Sequence, residues 1–528
     1  MNPEYTVVPI GVWDATKANT DICARGCFIY DAPLCFEKLH QSWIQTLKAR
    51  PIMGARVRRS KAPSGLEYHV PTPEGLERYL QCQATASGHL KDFFCLDQSK
   101  RSVSEYSPAV STSAPSGKGI FVADAADSED QRLCTTFNAV ETLDQLLNSD
   151  RPILTIQVTR FSDATMISYA FNHLMGDIFT LKDIMKGWES SLHGTPPPPW
   201  EELGTDPFAE YAPGGKLPSK GINTNSPALP PGWRLLGLLD KARLASRILW
   251  DQHYTRPEKT ISQKYIFIPD AEGDRLVQEA KEDLVRIEER LIRQGTPSKT
   301  PLKISRSNVF YAWILKHNHA ALDPSAKSTP VAIVGARGRP PTGLKPTDFP
   351  PHNWYNASYL AALGTLKVSE IASMSLGELA LYVRDGTAKA STPESAQAVM
   401  SFGLHHGRWN GPASKIAFWS PPDHVLSGLT DWRVATIGDV DFTPGRLDGT
   451  ARKVATCGIH TFMVAPGSFR NRWGVVGEAA GGTWIFGFVS EDEWRYPGGF
   501  GKYPHFKLPA KKFTSIDEFQ GPAIRAKL

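Results

Sequence analysis

Apolar and polar positions alternate with a period of two through Ile153-Leu154-Thr155-Ile156-Gln157-Val158-Thr159-Arg160-Phe161, and the same habit continues through Met166-Ile167-Ser168-Tyr169-Ala170-Phe171. That period puts successive side chains on opposite faces of a sheet, so both runs are predicted strands. Ser162-Asp163-Ala164-Thr165 between them supplies turn chemistry, and the pair reads as a hairpin. Past Asp177 the spacing changes: Phe179, Leu181, Ile184, Met185, Trp188 and Leu192 recur at helical intervals until His193-Gly194, where the glycine can end a helix.

Elsewhere, a short apolar run, Cys27-Phe28-Ile29-Tyr30, precedes a predicted helix from about Leu34 to Ala49. It stops at Arg50-Pro51, because proline disfavours the helical conformation of the residue before it. The polar stretch from about Asp97 to Gly117 predicts an exposed loop, with structure resuming near Gly119. Pro196-Pro197-Pro198-Pro199 and the Pro/Gly/Asn-rich run through Trp233 predict a crossover linker. Beyond it, Val277, Ala280, Leu284, Ile287 and Leu291 line one face of a charged helix. That helix is too short for sustained heptads and is expected to pack, solvated, on a second domain.

Length then sets the number of such units. At 528 residues the chain exceeds one ordinary core, which predicts two domains of roughly 200 to 250 residues. With 41% hydrophobic and 21% charged residues it has the composition of a globular protein. A net charge of +5 without a dense Lys/Arg block argues against nucleic acid as a partner. Seven irregularly spaced cysteines, with no Cys-x-x-Cys, predict free thiols in a reducing compartment. Cys23 and Cys27 lack a second Cys/His pair to complete a zinc site, so no metal is expected. The start, Met1-Asn2-Pro3-Glu4-Tyr5, lacks a basic n-region and an apolar h-region, and nowhere do eighteen apolar residues run together. A cytoplasmic protein without membrane insertion is the expectation.

The candidate chemistry sits at the predicted junction of strand and helix, in Phe171-Asn172-His173-Leu174-Met175-Gly176-Asp177. An imidazole, with an unperturbed pKa of about 6.5, can take a proton from a hydroxyl near neutral pH. From local sequence alone a satisfied core histidine fits His173 as well as a base does. The His-x-x-x-Asp spacing also recurs at His319 and Asp323, where helical apolar spacing makes an i, i+4 surface pair sufficient explanation.

Four separated segments resemble the BAHD acyltransferases, and more closely their fungal secondary-metabolite O-acyltransferase branch. The first runs from Gln157 through His173 and Asp177 to Trp188, matching the family's strand, hairpin, HxxxD and helix. The second is Gly335-Ala336-Arg337-Gly338-Arg339-Pro340-Pro341 with Trp354-Tyr355-Asn356-Ala357, similar to the Arg-x-Arg segment and the downstream Gly-Asn. Thr430-Asp431-Trp432-Arg433 leading into Asp441-Phe442-Thr443-Pro444-Gly445 resembles the DFGWG block. Arg50-Pro51-Ile52-Met53-Gly54-Ala55-Arg56 resembles the N-terminal Pro-x-x-Gly-x-Arg turn. The matches follow family order across nearly the whole chain. Two departures stand out: Ile178 replaces the glycine common after HxxxD, and Thr443-Pro444 replaces Gly-Trp.

The resemblance implies an α/β fold of two similar chloramphenicol-acetyltransferase-like domains, each a mixed β-sheet flanked by helices, with a solvent tunnel between them. Residues 1–215 would carry HxxxD, 216–262 the crossover linker and 263–528 the second domain, part of about 400–445 crossing back to the first. It implies a monomer that moves an acyl group, acetyl by default, from acyl-CoA to a hydroxyl of a small hydrophobic metabolite, with no permanently bound cofactor. His173 would be the general base and Thr430 the oxyanion donor, although a turn residue would also fit Thr430. Asp177 would point away from the cleft onto Arg337, for which a surface position is the alternative on local grounds. Asp441 would be structural. Ser305 and Ser307 would face the pantetheine, with Lys303 or Arg306 on the phosphates, although helix capping explains the same residues. The rival functions are a CoA-independent condensation, cyclisation or elimination on the same fold, and a catalytically silent binding protein.

Overall fold

The computed structural model describes residues 4–506 apart from 84–91, 107–118, 125–135, 137–138, 199, 201–202, 205, 213–228, 231, 297–300, 350–353, 408–416, 419 and 465–469. Leu154–Phe161 and Thr165–Asn172 form the expected antiparallel hairpin, closed by Phe161 N–H donating to Ala164 O at 2.8 Å. Both strands are buried on both faces, so the alternation does not mark a wet side as it does in a half-exposed strand. Their polar members, such as the facing Gln157 and Ser168, lie under covering layers instead.

The hairpin is the centre of a five-stranded mixed sheet ordered Thr456–Val464, Cys23–Tyr30, Thr165–Asn172, Leu154–Phe161, Phe93–Gln98. Helix Phe36–Ala49, stopped at Arg50 as the proline predicts, packs with helix Ile178–Leu192; Trp43 meets Trp188 edge-on at 5.0 Å. The core of this sheet is continuous with Tyr265, Phe267, Trp484 and Phe486 of a second, nine-stranded mixed sheet. The principal path of that sheet runs Ser358–Ala362, Lys327–Gly335, Val425–Asp431, Arg472–Ala479, Gly482–Ser490, Ile261–Pro269, Phe121–Asp124, His505–Phe506.

The two sheets exchange strands. Phe121–Asp124, early in the chain, pairs with Ile261–Pro269 of the second sheet, whereas Thr456–Val464, late in the chain, pairs with Cys23–Tyr30 of the first. The return begins before that strand: Lys186 donates to Asp439 O at 2.6 Å, and Gly445 lies against Leu39 and Leu192. Burial of shared apolar surface on both sides of this exchange ties the two halves into one body.

The charged helix is longer than its apolar pattern suggests, Asp270–Arg293, and it buries Leu276, Ala280, Leu284 and Ile287. The span 216–262, expected as linker, is helical over Leu238–Trp250; its residues 216–228 lie outside the described residues. Of the expected loop, the strand reaches Gln98 and a short helix covers Val103–Tyr106, while 107–117 lie outside the described residues. Among the described residues no helix is long and apolar enough to cross a membrane, and Cys23, Cys27, Cys35, Cys95 and Cys457 are free thiols.

Candidate active site

Strand Thr165–Asn172 ends in a polar clasp. Asn172 donates to Thr20 O at 2.9 Å and accepts from Leu174 N–H at 3.0 Å, and His173 N–H donates to Ile22 O at 2.8 Å. These bonds fold His173–Met175 into a single 3₁₀ turn. Gly176 follows at φ 147°, where a Cβ would stand 2.2 Å from Thr180 Oγ1, so only glycine lets the chain reverse here. His173 is half-buried as a residue, and its Nδ1 is buried and has no hydrogen-bond partner among the described residues. Burial pushes its pKa below the ordinary 6.5, against the opposing charge of Asp177.

Asp177 caps helix Ile178–Leu192, its Oδ1 accepting from Phe179 N–H at 3.0 Å. Its Oδ2 takes Arg337 Nη1 at 2.6 Å and Ala357 N–H at 3.0 Å. The Arg337 guanidinium lies between Phe179 and Tyr355, 4.8 and 4.9 Å from the two ring centres. Ile178, the departure from family pattern, is the first residue of the helix and is compatible with this capping geometry.

Two buried side chains that sequence reasoning did not assign complete the underside. Asn356 is fully buried and donates its Nδ2 hydrogens to His173 O at 2.7 Å and to Asp14 Oδ1 at 2.8 Å. Its backbone N–H also donates to Asp14 Oδ1, at 2.7 Å. Burial pushes the Asp14 carboxyl well above the usual carboxylate range; the bonds from Asn356 oppose this and the charge of Asp206 adds to it. Asn356 stood inside a segment already singled out, whereas Asp14, one acid after Val12-Trp13, carried no signal without its partner.

Thr430, on strand Val425–Asp431, accepts the indole N–H of Trp432 at 3.0 Å, which leaves its own hydroxyl hydrogen free to donate. Trp432, like Phe179, packs against the core that holds Leu174. Next to it, Asp431 takes Arg433 Nη2 at 2.6 Å and the Ser307 hydroxyl at 2.7 Å, fastening the start of helix Arg306–His319 to the strand end. Ser305 caps that helix in a capping box with Asn308, and Arg306 meets Asp270 and Asp274. Thus three of the four residues considered for coenzyme contacts have partners within the protein. Lys303 is exposed, and its ammonium makes no bond among the described residues. Asp441 accepts from Thr443 N–H at 2.9 Å and lies 3.4 Å from His193, at the far end of the helix that Asp177 begins. A helix of 15 residues spans about 22 Å, so Asp441 is remote from His173.

His319 is a different case from His173, and it is not the surface pair expected. It is 1% exposed, its Nδ1 bonds Leu315 O at 2.8 Å and its Nε2 bonds Ser328 Oγ at 2.7 Å. Asp323 turns instead to Ser325 N–H, at 2.8 Å. A histidine satisfied at both nitrogens and pushed by burial to a pKa of about 4 is a core residue.

Acetyltransferase MATC1 of Mycosarcoma maydis is 35% identical over 521 residues, covering 94% of this chain and 97% of that protein. The chain belongs to the BAHD acyltransferase family. Within that family it falls in the fungal secondary-metabolite branch, and it is an acyltransferase. No family model matches it. Among solved structures, F. graminearum TRI101 complexed with coenzyme A and T-2 mycotoxin superposes with TM-score 0.55 at 13% identity, over 92% of this chain and 96% of that one. Vinorine synthase superposes with TM-score 0.50 at 14% identity, over 93% and 90%. At such identities the likeness speaks for the fold, and it agrees with the BAHD arrangement of two mixed sheets.

Proposed function

We propose that the protein transfers an acyl group, acetyl in the first instance, from acyl-CoA to a hydroxyl of a small hydrophobic metabolite, with His173 as general base. The observation that carries this reading is the state of His173 at its strand end. It is half-buried, with its pKa pushed down by burial and its Nδ1 unpartnered among the described residues, and it is fixed through its backbone, whereas the other HxxxD-like histidine is bonded at both nitrogens. His173 takes the hydroxyl proton as the acceptor oxygen attacks the thioester carbonyl. The oxyanion that forms is met by the Thr430 hydroxyl. Collapse expels the CoA thiolate, which recovers the proton from the imidazolium. No bond to the enzyme is formed.

A positioned base contributes about 10²- to 10⁴-fold, so orientation of the acceptor and oxyanion stabilisation supply the remainder. Asp177 and Arg337 hold the turn rather than react, because their charges face each other. The named activity of the similar acetyltransferase and the coenzyme A and toxin held by the solved neighbour support acyl-CoA and a small acceptor. We take the enzyme to work as a monomer in the cytoplasm, and we take Lys303, the one of the four residues considered whose side chain makes no bond among the described residues, to meet a CoA phosphate.

His173→Ala, assayed for thiol release with acetyl-CoA and an acceptor, is expected to lose at least about 10²-fold in kcat while melting like the parent. Full activity in a well-folded variant would remove His173 from this role.

A further inference from the structure

Helix Leu238–Trp250 is built inside out. Its residues Asp240, Leu244, Arg247 and the following Asp251 turn toward the protein: Asp240 pairs with Arg234 at 3.2 Å, Arg247 donates to Pro422 O at 2.6 Å, and Asp251 takes Arg256 and Arg470 at 2.8 and 2.7 Å. The opposite face carries Leu238, Ala242, Ala245 and Leu249, spaced i, i+4, i+7 and i+11, and all four are exposed. No residue of the helix is buried, and Leu238 and Leu249 are 87% and 55% exposed. The helix is held by polar staples, so its apolar stripe does no work in attaching it to the protein.

What surrounds the stripe indicates what it meets. Beside it stand Leu239 and Trp250, and Trp250 stacks on Tyr254 at 4.6 Å, both rings largely exposed. At 3.6 residues per turn half-buried Lys241 falls on one flank of the stripe and exposed Arg243 lies on the other side, beyond Trp250, and neither makes a bond to a carboxylate among the described residues. Both carboxylates of the segment, Asp240 and Asp251, point inward. An apolar stripe, an aromatic pair at one end and a cation to either side complement an anionic lipid surface, with the stripe at the acyl boundary and the long cationic side chains reaching the headgroups.

We propose that helix Leu238–Trp250 docks the enzyme reversibly on anionic phospholipid membranes, lying in the interface plane. The association is peripheral and independent of the His173 chemistry.

The full chain should co-sediment with vesicles of phosphatidylcholine and phosphatidylserine, poorly with phosphatidylcholine alone, and less as salt is raised. Lys241→Glu with Arg243→Glu, and separately Leu238→Ser with Leu249→Ser and Trp250→Ser, should each weaken anionic-vesicle binding by about tenfold or more. Both variants should keep the parent's melting temperature and its turnover of a water-soluble acceptor. Failure of the parent to sediment with anionic vesicles, or undiminished binding by the serine variant, overturns the proposal. So does a parent dimer in light scattering that the serine variant converts to monomer, because a second copy would then cover the face.

Discussion

Asn356 donates to the main-chain carbonyl of His173 at 2.7 Å, joining the turn that carries the base to a segment about 180 residues later. The same residue is anchored by two bonds to Asp14 Oδ1, one from its backbone N–H and one from its side-chain amide. Its Oδ1 is buried without a partner among the described residues, so this side chain reaches His173 through the bond to its carbonyl. Asn356 therefore acts through His173.

Asn356→Ala is expected to lower kcat by about 10- to 100-fold, the order associated with small misplacements of a catalytic group. KM for acyl-CoA should change much less. Steady-state kinetics checks both, and a KM effect with unchanged kcat contradicts the positioning role.

The pH profile follows from the two influences on His173. Burial lowers its pKa below 6.5 and the Asp177 charge partly restores it. As a base the ring works when deprotonated, so the acid limb of kcat/KM should lie below pH 6.5 and activity should be flat from there to neutrality. Asp177→Asn removes the restoring charge, which lowers the His173 pKa further and moves the limb to more acid pH. A limb above 6.5, or a shift toward alkaline pH in Asp177→Asn, contradicts the assignment.

Arg337→Ala leaves Asp177 buried with its charge unmatched and should cost about 3 kcal/mol, read from the urea midpoint. Arg337→Lys keeps the charge but not the planar group between Phe179 and Tyr355, and should fall between the two. Equal midpoints for all three proteins would show that the pair contributes nothing.

The parts legible in the sequence were those fixed by neighbours in the chain. The hairpin that ends at His173 follows from period and turn residues within about twenty positions, and the helix after it from its cap at Asp177. The strand Thr456–Val464 was not legible as a member of the first sheet, because its pairing with Cys23–Tyr30 lies more than 400 positions away and leaves no local trace. Asp14 is the same case at the site: its meaning lies in Asn356, a contact across 342 positions. His319 shows the reverse error, since helical spacing announced a surface pair while burial against Ser328 made it core. Helix Leu238–Trp250 lies inside the span 216–262 expected as linker, because the Pro/Gly/Asn-rich run that precedes it dominates the composition there and masks the helical spacing that follows.

Asp14 gives a test of the underside that does not depend on activity. Its folded pKa is raised above the unfolded value, so the folded protein holds a proton there that the unfolded chain releases above about pH 4. The stability linked to this group is fully present below that pH and is lost as pH rises toward the folded pKa, at up to about 1.4 kcal/mol per unit. Asp14→Asn keeps the Oδ1 acceptor for both Asn356 donors and abolishes the titration. Its melting temperature should therefore fall less than the parent's between pH 5 and 8. Parallel melting curves across that range would mean that Asp14 is ionised in the folded enzyme, and that the Asn356 amide rests on a carboxylate instead of a neutral acid.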